Sequence, residues 1–208
     1  MCLHISERCD GRKHCILGDD EDLCTIKPCP AACNCKGYAM LCKDTYLTYL
    51  PHISDCMRAI YFSNNNLQNI DQHILGHQTY LYELDISHNY INEFKPGTFF
   101  HLKNLRSLNI ENNFVTFLSA DVFYGLANVN CLKLKANPIY VIYERAFHGL
   151  KNLKHINLQG LRIQNIKIGA FDGVYQCTLL DLSRNALRRV KSRVFLNLIM
   201  LQVLNISG

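Results

Sequence analysis

From Met57 onward the chain repeats every 24 residues, and this period restricts the folds open to it more than any other feature. Within each repeat, aliphatic residues recur at the first, fourth, sixth and eleventh positions, and an asparagine recurs at the ninth. The pattern L-x-x-L-x-L-x-x-N-x-L, with exchange among aliphatic residues, is met in five of six full repeats. Full repeats begin at Met57, Leu81, Leu105, Val129, Leu153 and Cys177, and a partial one begins at Leu201.

The spacing within the repeat predicts one short strand with a single buried face, because apolar residues alternate there. Stacking one strand per repeat predicts an α/β-class solenoid, with a curved parallel sheet on its concave face. The convex side is then mostly irregular or short-helical. The asparagine amide can pair turn backbone groups that would otherwise be buried alone. Leu161 replaces it in the repeat 153–176, so we expect that repeat to be looser by about 1–3 kcal/mol.

A second column of large apolar residues is predicted to be buried on the outer side of the coil, one residue per repeat. Its regular spacing favours core packing over an aromatic cofactor site, and stacked rings would fix the curvature. The members of the column are Leu75, Phe99, Phe123, Phe147, Phe171 and Phe195.

Nine of the eleven cysteines fall in residues 2–56, which indicates a disulfide framework or a metal site near the N-terminus. The run Cys29-x3-Cys33-x-Cys35-x6-Cys42 has a C-x-C core and is followed at once by the repeats. Zinc sites usually take paired ligands from two distant places, so disulfides are favoured over zinc here. We expect this run to cover the N-terminal end of the solenoid core.

Together these motifs resemble the extracellular leucine-rich-repeat proteins, whose N-terminal cap joins its first cysteine to its third and its second to its fourth. The resemblance implies the disulfides Cys29–Cys35 and Cys33–Cys42. It assigns no partner to Cys56 or Cys131, and Cys177 occupies a core position of the repeat.

Residues 1–24 resemble the last half of an LDL-receptor class A module, through Cys9-Asp10-Gly11 and the run Asp20-Glu21-Asp22-Leu23-Cys24. The resemblance implies a Cys9–Cys24 disulfide and leaves Cys2 and Cys15 unpaired. It also implies one Ca²⁺ held by Asp10, Asp20 and Glu21, with His14 at the fourth ligand position. Imidazole weakens such a site, because Ca²⁺ prefers oxygen ligands. An acidic tail without a metal is the alternative.

The order of the segments is similar to that of relaxin-receptor-like G-protein-coupled receptors. This similarity implies a hormone-binding ectodomain on the extracellular side of the plasma membrane, and a peptide of the relaxin or insulin type as partner. We expect the chain to be a piece of a longer protein, with the signal peptide and the membrane helices outside it. The predicted segments are the partial class A module 1–24, the cap 25–56 and the repeats 57–80, 81–104, 105–128, 129–152, 153–176, 177–200 and 201–208.

The ligand site is predicted on the concave face, where the non-leucine residues of each strand are exposed. Glu83 and Asp85 project from one strand, and Glu111 lies diagonal to Asp85 beside the next. The resemblance implies that such an acidic pair receives arginines of the hormone, with Asp181 as half of a second pair. The alternative is a surface ion pair between Glu111 and Lys135.

Other classes of function find less support in the sequence. No H-E-x-x-H, G-x-S-x-G or phosphate-binding glycine loop is present, so we expect no enzyme. The net charge of +5 does not indicate a nucleic-acid partner, and no apolar run is long enough for a membrane span.

Residues 151–208 hold nine bases against two acids, which is a solvated face or a site for a polyanion such as a sulfated glycan. An adhesion or matrix protein that binds a protein or a glycan is therefore the alternative function. Asn205 begins a glycosylation sequon on a strand predicted to face inward.

Overall fold

The computed structural model describes residues 29–70 and 72–207, which form a solenoid of stacked short strands and turns with almost no helix. A four-residue helix α1 (Gln72–Leu75) and a 3-10 turn (Ser192–Phe195) are the helical segments described. The strands are β1 (Asn34–Lys36), β2 (Ala39–Leu41), β3 (Ala59–Tyr61), β4 (Glu83–Asp85), β5 (Ser107–Asn109), β6 (Phe117–Leu118), β7 (Cys131–Lys133), β8 (Val141–Ile142), β9 (His155–Asn157), β10 (Asn165–Ile166), β11 (Leu179–Asp181) and β12 (Val203–Asn205).

The predicted concave sheet is present, with one parallel strand for each repeat. Strands β2, β3, β4, β5 and β7 pair side by side, and Leu84 lies in register with Ile60 and Leu108. These central residues are fully buried, while the residues on either side of Leu84 are partly exposed. The alternation in the sequence therefore gives the half-buried strand that it predicts.

The outer phenylalanine column is also confirmed as part of the core. Rings from successive repeats lie 5.2–6.4 Å apart between centroids, mostly in stacked orientations. Phe99, Phe123 and Phe147 are fully buried, and only Phe195 at the last full repeat is partly exposed. The stack is one continuous apolar layer that holds the repeats together on the side opposite the concave sheet.

The N-terminal cap extends the concave sheet by two strands. Strands β1 and β2 form an antiparallel hairpin, and β2 pairs in parallel with β3 of the first repeat. Disulfides join Cys29 to Cys35 and Cys33 to Cys42, the pairing that the family resemblance implied. Met40 and Cys42 are completely buried, so the cap covers the core at this end.

Most of the convex side consists of turns and irregular segments, as expected, but it also contains strands. Strands β6, β8 and β10 form a second parallel sheet of three strands there. Each of these strands has only two residues, so the sequence shows no alternation of apolar and polar residues that would predict it. Backbone hydrogen bonds between residues 24 positions apart hold these strands together: Ile142 lies in register with both Leu118 and Ile166.

The asparagine ladder joins each repeat to the one before it. The side-chain oxygen of Asn113 accepts the N–H of Ile91 at 3.1 Å, and its amide donates to the carbonyls of Ile86 and Ile110, each at 3.1 Å. Asn89, Asn137 and Asn185 make the equivalent bonds. Each ladder asparagine therefore pairs backbone groups of two repeats at once.

At Leu161 this connection is missing, and the concave sheet is interrupted. The Leu161 side chain is 1% exposed and offers no hydrogen-bond acceptor. The N–H of Ile139, which an asparagine at this position would accept, bonds instead to the carbonyl of Asn137 at 3.0 Å. Strands β7 and β9 do not pair, so β9, β11 and β12 form a separate sheet. Leu132 of β7 is partly exposed, unlike its counterpart Leu108 in β5.

We name the gap between β7 and β9 the seam. The convex strands β8 and β10 pair across the same junction, so the repeats on either side are hydrogen-bonded at the outer face alone. The single curved sheet expected from the sequence is thus two sheets. The lower stability expected for the repeat 153–176 stays a prediction, and the missing strand pairing lies at the boundary of that repeat with the preceding one.

Several predictions concern residues 1–28, which lie outside the described part of the chain. These are the Cys9–Cys24 disulfide, the Ca²⁺ ligands Asp10, Asp20 and Glu21, and the unpaired Cys2 and Cys15. They stay predictions. Among the described residues, no helix is long and apolar enough to cross a bilayer.

Candidate ligand-binding face

The acidic pair lies on the concave face at β4, in the N-terminal half of the solenoid. Glu83 and Asp85 are partly exposed on either side of the buried Leu84. The strand alternation turns both carboxylates to the same surface, because residues two apart share a face. The pair is therefore open to a ligand and does not point into the core.

Hydrogen bonds orient each of these carboxylates. The Tyr61 hydroxyl on the neighbouring strand β3 donates to Oε2 of Glu83 at 2.7 Å. Burial, together with this bond and the negative charge of Glu83, raises the pKa of Tyr61, so the hydroxyl keeps its proton. Oδ1 of Asp85 accepts the N–H of Ser87 at 3.0 Å and its hydroxyl at 2.6 Å. Both acids keep acceptor capacity, because a carboxylate has about four lone-pair sites.

Glu111 follows β5 by two residues and is partly exposed on the same face. Its carboxylate has no ion-pair or hydrogen-bond partner among the residues that the structure describes, and the alternative pair with Lys135 is not formed. Glu83 and Asp85 thus lie on β4 and Glu111 lies just beyond the end of the neighbouring β5, and Glu111 is the one of these three acids whose carboxylate has no hydrogen bond or ion pair among the described residues.

The structure separates Asp181 from this group. Asp181 ends β11, in register with Asn157 and Asn205 in the second sheet. Three repeats and the seam lie between it and Asp85; these four repeat steps correspond to roughly 19 Å at the usual strand spacing. Its Oδ1 accepts the N–H of Ser183 at 2.8 Å. A compact ligand in contact with Glu83 therefore does not reach Asp181.

A row of tyrosine and arginine side chains, which the sequence analysis did not single out, borders the acidic pair. Arg58 lies 5.9 Å from the ring centroid of Tyr38 and 5.5 Å from that of Tyr82, and Arg106 lies 5.4 Å from Tyr82. A fifth side chain, Tyr80, has its ring 5.0 Å from Arg58.

We call Tyr38, Arg58, Tyr82 and Arg106 the Tyr–Arg column. Its last three members share one repeat position, each 24 residues after the one before, so the alternation of cation and ring was readable from the sequence. Such cation–ring contacts are worth about 0.5–1 kcal/mol at exposed sites, and they hold long side chains in place.

The face can bind a partner that carries both positive charge and apolar surface. Tyrosine and arginine dominate the energetic centres of protein interfaces, and preordered side chains lose less entropy on binding. Within the described residues, no group of three His, Cys, Asp or Glu side chains could hold a metal ion.

Comparison with known families identifies the repeat. The family model described as Leucine rich repeat matches residues 57–115, 103–163 and 152–208, which together span well over half of the chain. No curated protein matches. Among solved structures 332 chains match. One is the crystal structure of the TLR13–ssRNA13 complex, with a TM-score of 0.58 and 21% identity over 73% of this chain and 25% of that chain.

This chain therefore spans about a quarter of the TLR13 chain, and at 21% identity the likeness shows the fold alone. The fold is typical of proteins that bind ligands without catalysing a reaction. Since TLR13 is in complex with ssRNA13 there, the comparison lends no support to the expectation that nucleic acid is excluded as a partner.

Proposed function

Because the chain belongs to the leucine-rich-repeat family, we propose that it is the ligand-binding portion of a receptor and holds a protein or peptide on its concave face. We propose further that the receptor is of the relaxin-receptor-like class and that the ligand is a peptide hormone with exposed arginines. The partly exposed acidic pair, Glu83 and Asp85, carries this proposal.

The contacts of the pair support an arginine-bearing ligand. A guanidinium presents a planar fork of donors that fits a carboxylate, and such charge-assisted bonds are stronger than neutral ones. Tyr61 holds Glu83 in place before a ligand arrives. Glu111, whose carboxylate has no hydrogen-bond or ion-pair partner among the described residues, adds a third negative charge beside the pair. The expected contact is therefore two or three carboxylates around one or two arginines.

The Tyr–Arg column supports a protein ligand over a small molecule. Its partly exposed rings, Tyr38 and Tyr82, offer flat contact area beside the acids, as protein interfaces do. The disulfides of the cap are stable in an oxidising compartment, which supports placing the chain on the extracellular side of the plasma membrane. An adhesion or matrix protein would share these features, so binding to a hormone separates the two.

The test is fluorescence anisotropy with a labelled two-chain peptide of the relaxin type. We expect the double variant Glu83→Ala/Asp85→Ala to bind at least about tenfold more weakly, a loss of about 1.4 kcal/mol, because two charge-assisted contacts are removed. The loss should be largest at low ionic strength, where charges are least screened.

The matched control is Glu93→Ala/Glu144→Ala, which removes two exposed acids outside the concave sheet. It should bind the peptide as the wild type does. Equal affinity of all three proteins would contradict the role of the acidic pair. A wild-type chain that binds a matrix protein but no relaxin-type peptide would contradict the hormone assignment and favour adhesion.

A further inference from the structure

An open cleft of about 1200 Å³ lies on the convex side. One wall is strand β10 with its flanking residues, and the other is the segment 188–191 of the next repeat. This cleft lies on the opposite side of the solenoid from the acidic pair, so it is independent of the function proposed above.

The cleft exists because the convex sheet stops at β10. One repeat earlier, the carbonyl of Tyr140 accepts the N–H of Gln164 at 2.9 Å, and that of Ile142 accepts the N–H of Lys167 at 2.9 Å. By the 24-residue period, the carbonyls of Gln164 and Ile166 point in the same direction, toward residues 188–191.

These groups find no partner within the described residues. The carbonyls of Gln164 and Ile166 accept no hydrogen bond, and the N–H groups of residues 188–191 donate none. The two walls therefore carry unpaired acceptors on one side and unpaired donors on the other. An unpaired strand edge of this kind is a template for an added strand.

The charge of the cleft is strongly positive. Lys167 stands on the β10 wall, and Arg188, Arg189 and Lys191 stand on the other, all with exposed side chains. Glu144 is the acid that lines it. Facing cations in a concave site attract an acidic ligand and raise its association rate.

We propose that this cleft binds an extended acidic segment of a partner protein as an added β-strand. An extended backbone presents N–H and C=O groups on both of its edges, one residue about every 3.3 Å, so it can pair with both walls at once. Aspartate or glutamate at alternate positions would reach Lys167 and Arg189. The peptide N–H groups donate to Gln164 and Ile166, and its carbonyls accept from residues 188–191.

The unpaired backbone favours a peptide over other polyanions. A sulfated glycan would use the cations but would place its sulfates beside carbonyl oxygens. Single-stranded RNA is held largely by stacking on aromatic rings. Tyr143 is the one aromatic side chain among the described residues that line the cleft.

The test uses a fluorescein-labelled octapeptide of alternating glutamate and valine, measured by anisotropy with the full chain. Two further probes separate backbone pairing from charge. One is the same peptide N-methylated at every second residue, which keeps its charge and loses N–H donors. The other is a heparin-derived oligosaccharide used as a competitor.

We expect saturable binding of the acidic octapeptide and at least tenfold weaker binding of its N-methylated form. The variant Arg188→Ala/Arg189→Ala/Lys191→Ala should also bind at least tenfold more weakly. The matched control Lys133→Ala/Lys135→Ala/Lys154→Ala removes three exposed cations from the concave face and should leave binding unchanged.

Three results would overturn the proposal. They are no binding of the octapeptide to the wild type, equal binding of its N-methylated form, and equal losses in the two triple variants. Tight binding of the heparin oligosaccharide together with weak, methylation-insensitive peptide binding would identify a glycan site instead.

Discussion

Replacing Phe147 by alanine is expected to lower the free energy of unfolding by about 3–5 kcal/mol. Phe147 is fully buried between Phe123 and Phe171, with ring centroids 5.8 and 5.2 Å away. Alanine would leave a cavity in the middle of the outer layer, and the loss combines the transfer of the ring with the contacts of its two neighbours. Urea unfolding followed by circular dichroism measures the change.

Phe195→Ala provides the comparison for this variant. Phe195 is partly exposed and stacks on one described ring, Phe171, at 6.2 Å, so its loss should be clearly smaller. In a solenoid each repeat contacts only its neighbours, and the Phe147 change should therefore also broaden the unfolding transition. Equal losses for the two variants would show that the phenylalanine layer does not act as a continuous stack.

Replacing Asn113 by leucine is expected to lower the free energy of unfolding by about 2–4 kcal/mol, because a buried N–H and several carbonyl bonds lose their partner. The change copies at β5 the situation that Leu161 creates at β9. We expect a second seam, between β4 and β5, in which the N–H groups of Arg106 and Ser107 no longer bond to the carbonyl of Tyr82. Hydrogen exchange of these two amides should accelerate.

The reverse substitution, Leu161→Asn, is the natural counterpart. It should slow the exchange of the Leu134 and His155 amides, which face the existing seam. If Asn113→Leu left the amides of Arg106 and Ser107 protected, the seam would have a cause other than the missing asparagine.

The repeat columns made most of this fold readable from the sequence. Met57, Leu81 and Leu105 recur every 24 residues, so the position of the strand in one repeat predicts its position in all the others. The same period predicts that the outer phenylalanines are buried in one column. The unusual Leu161 drew attention to the repeat 153–176, and the missing strand pairing lies at the boundary of that repeat with the preceding one. Leu161 did not reveal that β7 and β9 are unpaired, because the pairing of two strands depends on how the two neighbouring repeats pack against each other and not on a single residue.

The candidate binding face was harder to predict. Glu83 and Asp85 stood out by charge, whereas Tyr82 and Arg106 had to be compared between repeats before their contact was evident. Asp181 shares a repeat position with Asp85 and was expected to be half of a second acidic pair, yet three repeats lie between the two. The unpaired edge of β10 left no trace in the sequence, since nothing in residues 188–191 forbids a strand.

Because backbone bonding at the seam is confined to the outer face, we expect the solenoid to bend there most easily, so that the repeats before and after the seam act as two arms that hinge about β8 and β10. A large ligand that contacts Asp85 on one arm and Asp181 on the other would fix the angle between them. We expect the distance between spin labels on the two arms to narrow to one value on binding, and an unchanged distribution would argue against it. Binding of such a ligand to the concave face would then change the curvature of the whole solenoid.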